Sequence, residues 1–302
     1  MKFGKLQDIS QVNFELGQPH SYTKQVLPQV AIKTPKFYWG CTGWSMKEWV
    51  GSIYPEGTKT KDYLQQYAKQ FTTIELNTTH YRIPTAETIE KWYKDTDEHF
   101  KFAPKIPQVI SHSSDLGLGQ GVLAHFCKNI VGLRDKLGCS FMQLPPHFGA
   151  DSLPILKLFL EQFPTDEIPL AIEVRHPSWF ENEHSLIPLL DLLHTHHVST
   201  VITDVAGKRE VLHLALTTPL AMIRFVGNGL HPTDYTRVDA WVDLLGDWMD
   251  QGLEEIYFFS HQPDNILSPQ LCIYLLEQIE QKWQLPLPKK TKLLDSGQMS
   301  LF

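Results

Sequence analysis

The chain has 302 residues, 42% hydrophobic and 20% charged, with 27 basic and 34 acidic side chains and a net charge of −7. This is a globular composition, long enough for two ordinary domains or one large α/β barrel, and its acidic balance disfavours a strongly basic nucleic-acid binder while leaving room for a local basic patch. Cys41, Cys127, Cys139 and Cys272 are scattered without C-x-x-C spacing, and there is neither a signal-like N-terminus nor a run of eighteen apolar residues; the expectations are free buried thiols, a cytoplasmic location and no membrane span.

Residues 1–35 are polar and weakly periodic and read as an N-terminal extension packed on, or loosely tied to, the domain. From residue 36, short apolar runs alternate with helix-like stretches. The strand candidates are 36–41, 72–77, 99–105, 138–144, 168–174, 198–203, 220–226 and 254–260. Segments 60–70, 85–95, 121–137, 152–163, 183–196, 236–251 and 264–283 have helical spacing or composition, and 205–217 is ambiguous. Such alternation points to a single (β/α)8 barrel of the TIM type over 36–284. A doubly wound open sheet is the alternative, but its strands are buried on both faces and rarely carry inward charge. Residues 285–302, rich in proline, lysine and small polar residues, read as a short flexible tail.

Side chains alternate along a strand. In "IPLAIEVRHPSWF" (168–180), Leu170, Ile172 and Val174 share one side, and Ala171, Glu173 and Arg175 the other. The apolar set should face the helices and the second set the barrel interior, charged toward the C-terminal mouth. The same split places Glu75 and Asn77 on the second strand, Lys105 on the third and Arg224 on the seventh in the interior. Parity adds Gly40, Thr42, Gln143, Thr203 and His261. Active sites of such barrels lie at this end. Mutual neutralisation of Glu173, Arg224 and Lys105 in a purely structural core is the competing reading, against which stands the economy of filling a core with apolar side chains.

The motifs "GCTGW" (40–44), "TTIELNTTHYRIP" (72–84), "FKFAPKIP" (100–107), "FMQLPPHF" (141–148), "EVRHPSW" (173–179) and "RFVGN" (224–228) together resemble the YecE-like family, number 72 among the domains of unknown function. The resemblance covers residues 36–284 and implies a (β/α)8 barrel with an uncharacterised activity. Two places depart from the family pattern: Cys41, where threonine or serine is frequent, and "FFSHQ" (258–262), where paired asparagines are frequent. The second counts against a catalytic role for His261.

Three cations aimed at one cavity, Lys105, Arg175 and Arg224, favour a polar or anionic substrate, because guanidinium groups match carboxylate and phosphate oxygens. Glu173 and Glu75 are the expected general acid and base of a hydrolase or lyase, their pKa values driven apart by burial and cations. Asn77, Gln143, His176 and Asn228 are expected to bind substrate, with Trp44, Tyr81 and Trp179 as stacking rings or as caps against water. The residues leave the cofactor unknown. A divalent metal on Glu75, Glu173, His176, Asp204 and His80 is an alternative, disfavoured by the cations and the lack of H-x-H spacing. "GLGQG" (117–121) is a weak candidate anion cradle. At the C-terminus, Gln298, Leu301 and Phe302 lie in a five-residue peptide resembling the bacterial sliding-clamp-binding motif, which would link the barrel to replication or repair. The alternative functions are therefore a metal-dependent nuclease or phosphodiesterase recruited by that tail, and a non-catalytic ligand-binding or scaffold protein.

Overall fold

Period-two alternation with both faces apolar at depth can be satisfied only where helices cover one face and other strands' side chains fill the other. That is how the strands are arranged. The structure, a computed structural model, describes residues 4–294 other than 120 and 183. The strands are β1 (Lys36–Gly40), β2 (Thr73–Leu76), β3 (Lys101–Pro104), β4 (Ser140–Gln143), β5 (Leu170–Glu173), β6 (Ser199–Asp204), β7 (Leu220–Val226) and β8 (Glu255–His261). Each falls within or beside an expected run. Helices Tyr63–Gln70, Ala86–Lys94, Val122–Ile130, Leu153–Gln162, Ile187–Thr195, Pro232–Gln251 and Ser268–Trp283 connect or follow them. The ambiguous segment after β6 holds only the short 3-10 turn Arg209–Val211.

All the strand pairs are parallel, in a six-stranded sheet ordered β1-β8-β7-β6-β5-β4 and a two-stranded sheet β2-β3. The expected parallel α/β fold is therefore present, with its ladder divided at two seams. At the β1/β2 seam the Tyr67 hydroxyl is inserted between the strands: it accepts from Cys41 N at 2.7 Å and donates to Thr73 O at 3.0 Å. Gly40 permits this approach, since a Cβ there would lie 2.0 Å from Thr73 O. Direct bonds flank the insertion, Thr72 N to Trp39 O at 3.2 Å and Glu75 N to Cys41 O at 3.0 Å. The β3/β4 seam carries Gly138 N to Phe102 O and Ile106 N to Phe141 O, both 2.8 Å.

The expected parity holds. Ile74, Leu76, Phe102, Ile172, Ile223 and Phe225 pack in the large core shared with the helices. A second, separate cluster on the opposite strand face contains Ala103, Phe141, Ala171, Val201, Met222, Tyr257 and Phe259. One step farther along the same strand faces come the charged and polar groups.

The N-terminal segment is fastened beside the turn that replaces a sixth helix. Gly207 N donates to Gly4 O at 2.8 Å, and Arg209 Nη2 to Phe14 O and Glu15 O at 3.4 and 3.2 Å. Tyr22 hydroxyl donates to Asp191 Oδ1 at 2.9 Å. Residues 285–294, the first part of the expected tail, also run along the domain. Thr291 Oγ1 accepts from Trp39 Nε1 at 2.8 Å, and Leu294 N donates to Ser52 O at 2.7 Å. The peptide containing Gln298, Leu301 and Phe302 lies outside the described residues.

Candidate functional site

Arg224, on β7, is the centre of a buried ionic layer at the C-terminal ends of the strands. Its Nε and Nη2 donate to the two carboxylate oxygens of Glu75 at 2.9 and 2.8 Å, a bidentate pair. Its Nη1 donates to Glu173 Oε2 at 2.6 Å. Arg175 closes the other side, with Nε 2.6 Å from Glu173 Oε1. Glu75 also accepts from Asn77 Nδ2 at 2.8 Å and meets His261 Nε2 at 2.8 Å. Strand order explains the meeting: β2, β5, β7 and β8 bring their inward ends to one level although Glu75 and Arg224 are 149 residues apart.

Burial alone would raise both carboxyls, but the attached cations outweigh it. Arg224 and His261 hold Glu75 well below the usual carboxylate range, and Arg175, Arg224 and Lys105 hold Glu173 at about 2. The expected acid/base split between the two is thus corrected: both are ionised at neutral pH, and their oxygens are taken up by guanidinium, amide and imidazole donors. Burial lowers the pKa of His261 despite the neighbouring Glu75. A neutral imidazole facing that carboxylate carries its proton on Nε2, which donates to Glu75 and leaves Nδ1 as an acceptor.

Lys105 differs from the arginines. It follows β3 directly, and its backbone is fixed by Thr79 Oγ1, which donates to Lys105 O at 2.7 Å. Its Nζ donates to the neutral Gln143 Oε1 at 3.2 Å and stands 5.8 Å from the Phe141 ring centroid. Among the described residues it is in no ion pair within 4.0 Å. Burial and the repulsion of Arg224 lower its pKa to about 8 against the opposing pull of Glu75 and Glu173. With Lys105 charged, the three cations exceed the two carboxylates, leaving this layer with one positive charge.

Above the layer lies a cavity of about 700 Å³, lined by Glu75, Lys105, Arg175, Arg224 and His261 at its base. The expected binding residues Asn77, Gln143, Tyr81 and Asn228 also line it. Tyr81 is the exposed ring at the rim, 81% accessible. Glu173 sits beneath the arginines and does not reach the cavity wall. The N-terminal segment contributes Gly4, Lys5, Leu6, Gln7 and Ile9 to the wall.

Three expected binding residues lie elsewhere. Trp179 is 1% exposed and its Nε1 donates to Phe148 O at 2.9 Å, so it is a capping ring inside the core. Trp44 packs edge-on against Trp92 with centroids 5.9 Å apart. His176 accepts from Ser178 N at 3.2 Å through Nδ1, capping the short turn after β5. The residues proposed as metal ligands do not converge either. Asp204 is engaged by Arg237, Arg209 and Trp241, His80 Nδ1 lies 3.2 Å from Ile106 O, and no cluster of three or more His, Cys, Asp or Glu suited to a metal occurs among the described residues. In "GLGQG", two of the amides are taken by Asp115, which accepts from Gly117 N and Gly119 N at 3.0 and 2.9 Å.

Sequence reasoning missed three contributors. His261 was inward by parity, yet its departure from the family pattern counted against it. His80 entered only as a metal ligand; its ring lines the cavity, neutral at a pKa of about 4 through burial and the nearby Lys105. The pair Asp234 and Gln262 shapes the loop after β7: Asp234 accepts from Asn228 N, Gln262 Nε2 donates to Asp234 Oδ2 at 3.2 Å, and Gln262 Oε1 accepts from Gly229 N at 2.7 Å.

The family model described as "Protein of unknown function DUF72" matches residues 38–293, most of the chain. The chain belongs to the DUF72 family. The UPF0759 protein YecE of Escherichia coli K12 is 29% identical over 260 residues, 80% of this chain and 92% of that protein. The UPF0759 protein YunF of Bacillus subtilis is 32% identical over 154 residues, 47% of this chain and 52% of its own. Among solved structures, a DUF72 protein of Enterococcus faecalis superposes with TM-score 0.64 at 19% identity, covering 83% of this chain and 96% of its own. A DUF72 protein of Thermotoga maritima gives 0.57 at 23% identity, covering 82% and 98%. These likenesses support the fold; the family name carries no reaction.

Proposed function

We propose that the eight strands form a (β/α)8 barrel and that its C-terminal mouth is the active site of a hydrolase or lyase acting on a small polar, anionic substrate. The observation that carries this reading is the ionic layer at the cavity base, in which Lys105 is the cation without a carboxylate partner. In this reading Arg224, Glu75 and Glu173 form a rigid platform, and Arg175, Lys105, Asn77 and Gln143 bind the substrate's oxygens. Because both glutamates are ionised and occupied, proton transfer passes to Lys105, whose lowered pKa lets it exchange a proton near neutral pH.

The test is a panel of small phosphate esters, carboxylate esters and oxo acids, assayed with the wild type and Lys105→Met. General acid–base catalysis contributes roughly 10²–10⁴-fold, so a loss of that size is expected for any compound turned over. Equal turnover by both proteins would remove Lys105 from the mechanism, and binding with no turnover of any compound would favour a ligand-binding protein.

The metal-dependent nuclease reading lacks a ligand cluster among the described residues. Recruitment to a sliding clamp stands on its own as a proposal from Gln298, Leu301 and Phe302. It requires the full chain to bind the clamp and a chain ending at residue 297 to lose that binding.

A further inference from the structure

We propose that Lys105 is a covalent nucleophile that captures the carbonyl carbon of a small 2-oxo acid or anionic aldehyde as an iminium. This deepens the preceding reading and rests on it, since the same cavity must bind the substrate's anionic group.

The geometry that supports it is specific to this side chain. A lysine placed to hold a structural ion pair meets a carboxylate, as Arg224 and Arg175 do here. Lys105 instead has the Gln143 amide oxygen and the face of Phe141, and it is among the residues lining the cavity. Arg224 lies over the same ring, 5.5 Å from its centroid, so two cations share one aromatic floor. Crowding a lysine with cations in a poorly hydrated pocket is a recognised way of presenting a free amine to a carbonyl. Two further cations beside the amine suit a substrate carrying a carboxylate or phosphate next to its carbonyl.

The step balances without an oxidant, reductant or cofactor. The free amine of Lys105 forms the C–N bond as the carbonyl π electrons move to oxygen, which takes a proton to give a carbinolamine. The hydroxyl then leaves as water with a second proton while the nitrogen lone pair forms C=N, so an ammonium and a carbonyl become a protonated iminium and one water. His80, neutral and at the cavity wall, offers a ring nitrogen for the proton relay. Its Nδ1 faces Ile106 O, so in the neutral ring Nε2 is the acceptor. An iminium withdraws electrons from an adjacent bond, which is the chemistry of a lyase.

At pH 7 an amine with a pKa near 8 is unprotonated roughly 300 times more often than one at the ordinary 10.5. The experiment follows. The full-length protein is incubated at pH 7 with millimolar pyruvate, glyoxylate or glyceraldehyde 3-phosphate, with and without sodium borohydride. Adducts are then read by intact mass and by peptide mapping, while binding is measured in parallel by calorimetry. The expected result is a borohydride-dependent secondary amine on the Lys105 peptide, formed roughly 100-fold faster than on exposed lysines. Lys105→Arg should lose that adduct while still binding the anionic probe. Binding of a probe without an adduct at Lys105 overturns the covalent step and leaves the anion site standing. Adducts spread over surface lysines, equally in Lys105→Arg, overturn it as well. Neither binding nor adduct with any probe overturns both readings. Because the adduct is mapped in the wild type, a poorly folded variant does not decide the outcome.

Discussion

Replacing Glu173 with glutamine removes one charge from a buried layer while keeping the side chain's size. In the wild type the carboxyl titrates at about 2 in the folded protein against an ordinary 4.5, because Arg175 and Arg224 overcome its burial. A depressed folded pKa contributes stability that is fully present above the unfolded value and is lost as pH falls through the folded one. The window is therefore from about pH 5 down to about pH 2. With one pKa unit equal to about 1.4 kcal/mol, the linkage amounts to about 3 kcal/mol. That agrees with the 3–5 kcal/mol typical of breaking a buried ion pair by removing one partner. The glutamine variant should be less stable at pH 7, and its deficit should shrink by about 3 kcal/mol as the wild-type carboxyl protonates. Urea unfolding of both proteins at pH 7, 5, 4 and 3 measures this, since carboxyls away from Arg224 titrate alike and cancel in the difference, and Glu75 is held well below the usual carboxylate range. The deficit should hold from pH 7 to pH 5, then narrow by pH 3. A deficit unchanged from pH 7 to pH 3 would refute the ionised, doubly paired Glu173 described above.

Two other outcomes follow. The proposed anion site should weaken as Lys105 loses its proton: sulfate affinity, measured by calorimetry, should fall roughly five- to tenfold between pH 7 and pH 9, the loss of the protonated lysine setting the upper bound on the effect of a charge-assisted hydrogen bond of about 1.5–3 kcal/mol. Lys105→Arg should hold its affinity across that range, because a guanidinium does not titrate there; a parallel fall in both proteins would assign the titration to another group. Among the aromatic residues, Trp179→Ala should cost about 3–5 kcal/mol in urea unfolding. Tyr81→Ala should stay within about 0.5 kcal/mol of wild type while lowering affinity for ligands long enough to reach the rim. Equal destabilisation by the two changes would reverse their assigned places.

The strands and their inward sets were legible because "TTIELN" puts apolar residues at every second place and "LAMIRFV" is an apolar run broken only at the inward Arg224. Parity fixes which face a side chain takes but not how high it stands relative to neighbouring strands. The level depends on the stagger between strands, which no single segment encodes. So Glu75, Glu173 and Arg224 could be placed inside, yet not foreseen as one network in which a single guanidinium bridges both carboxylates. The expected separation of their pKa values failed for that reason: each was assigned a neighbourhood, but the neighbour was shared. Loop aromatics had no periodicity to orient them, and Trp179 and Tyr81, both following strands, turned in opposite directions. The N-terminal segment was hard to place because backbone and polar contacts hold much of it, from Gly4 O to the carbonyls of Phe14 and Glu15, and these leave no hydrophobic pattern.

The position of the charge within the strands bears on whether it serves folding or chemistry. Two residues earlier on the same strand faces stand Ala103 before Lys105, Phe141 before Gln143, Ala171 before Glu173, Met222 before Arg224 and Phe259 before His261. The chain thus fills the middle of the interior with apolar and small residues and gathers its buried ionic groups at the level that meets the cavity, while Lys101 and Glu255, on the same faces at the opposite strand ends, are partly exposed. A buried ionic network is rarely more stabilising than well-packed apolar side chains of similar volume. Buried charges serving the fold alone would have no reason to gather at that level. Their gathering at the cavity base, with Lys105 turned toward the amide of Gln143 instead of a carboxylate, is what the proposed anion site requires.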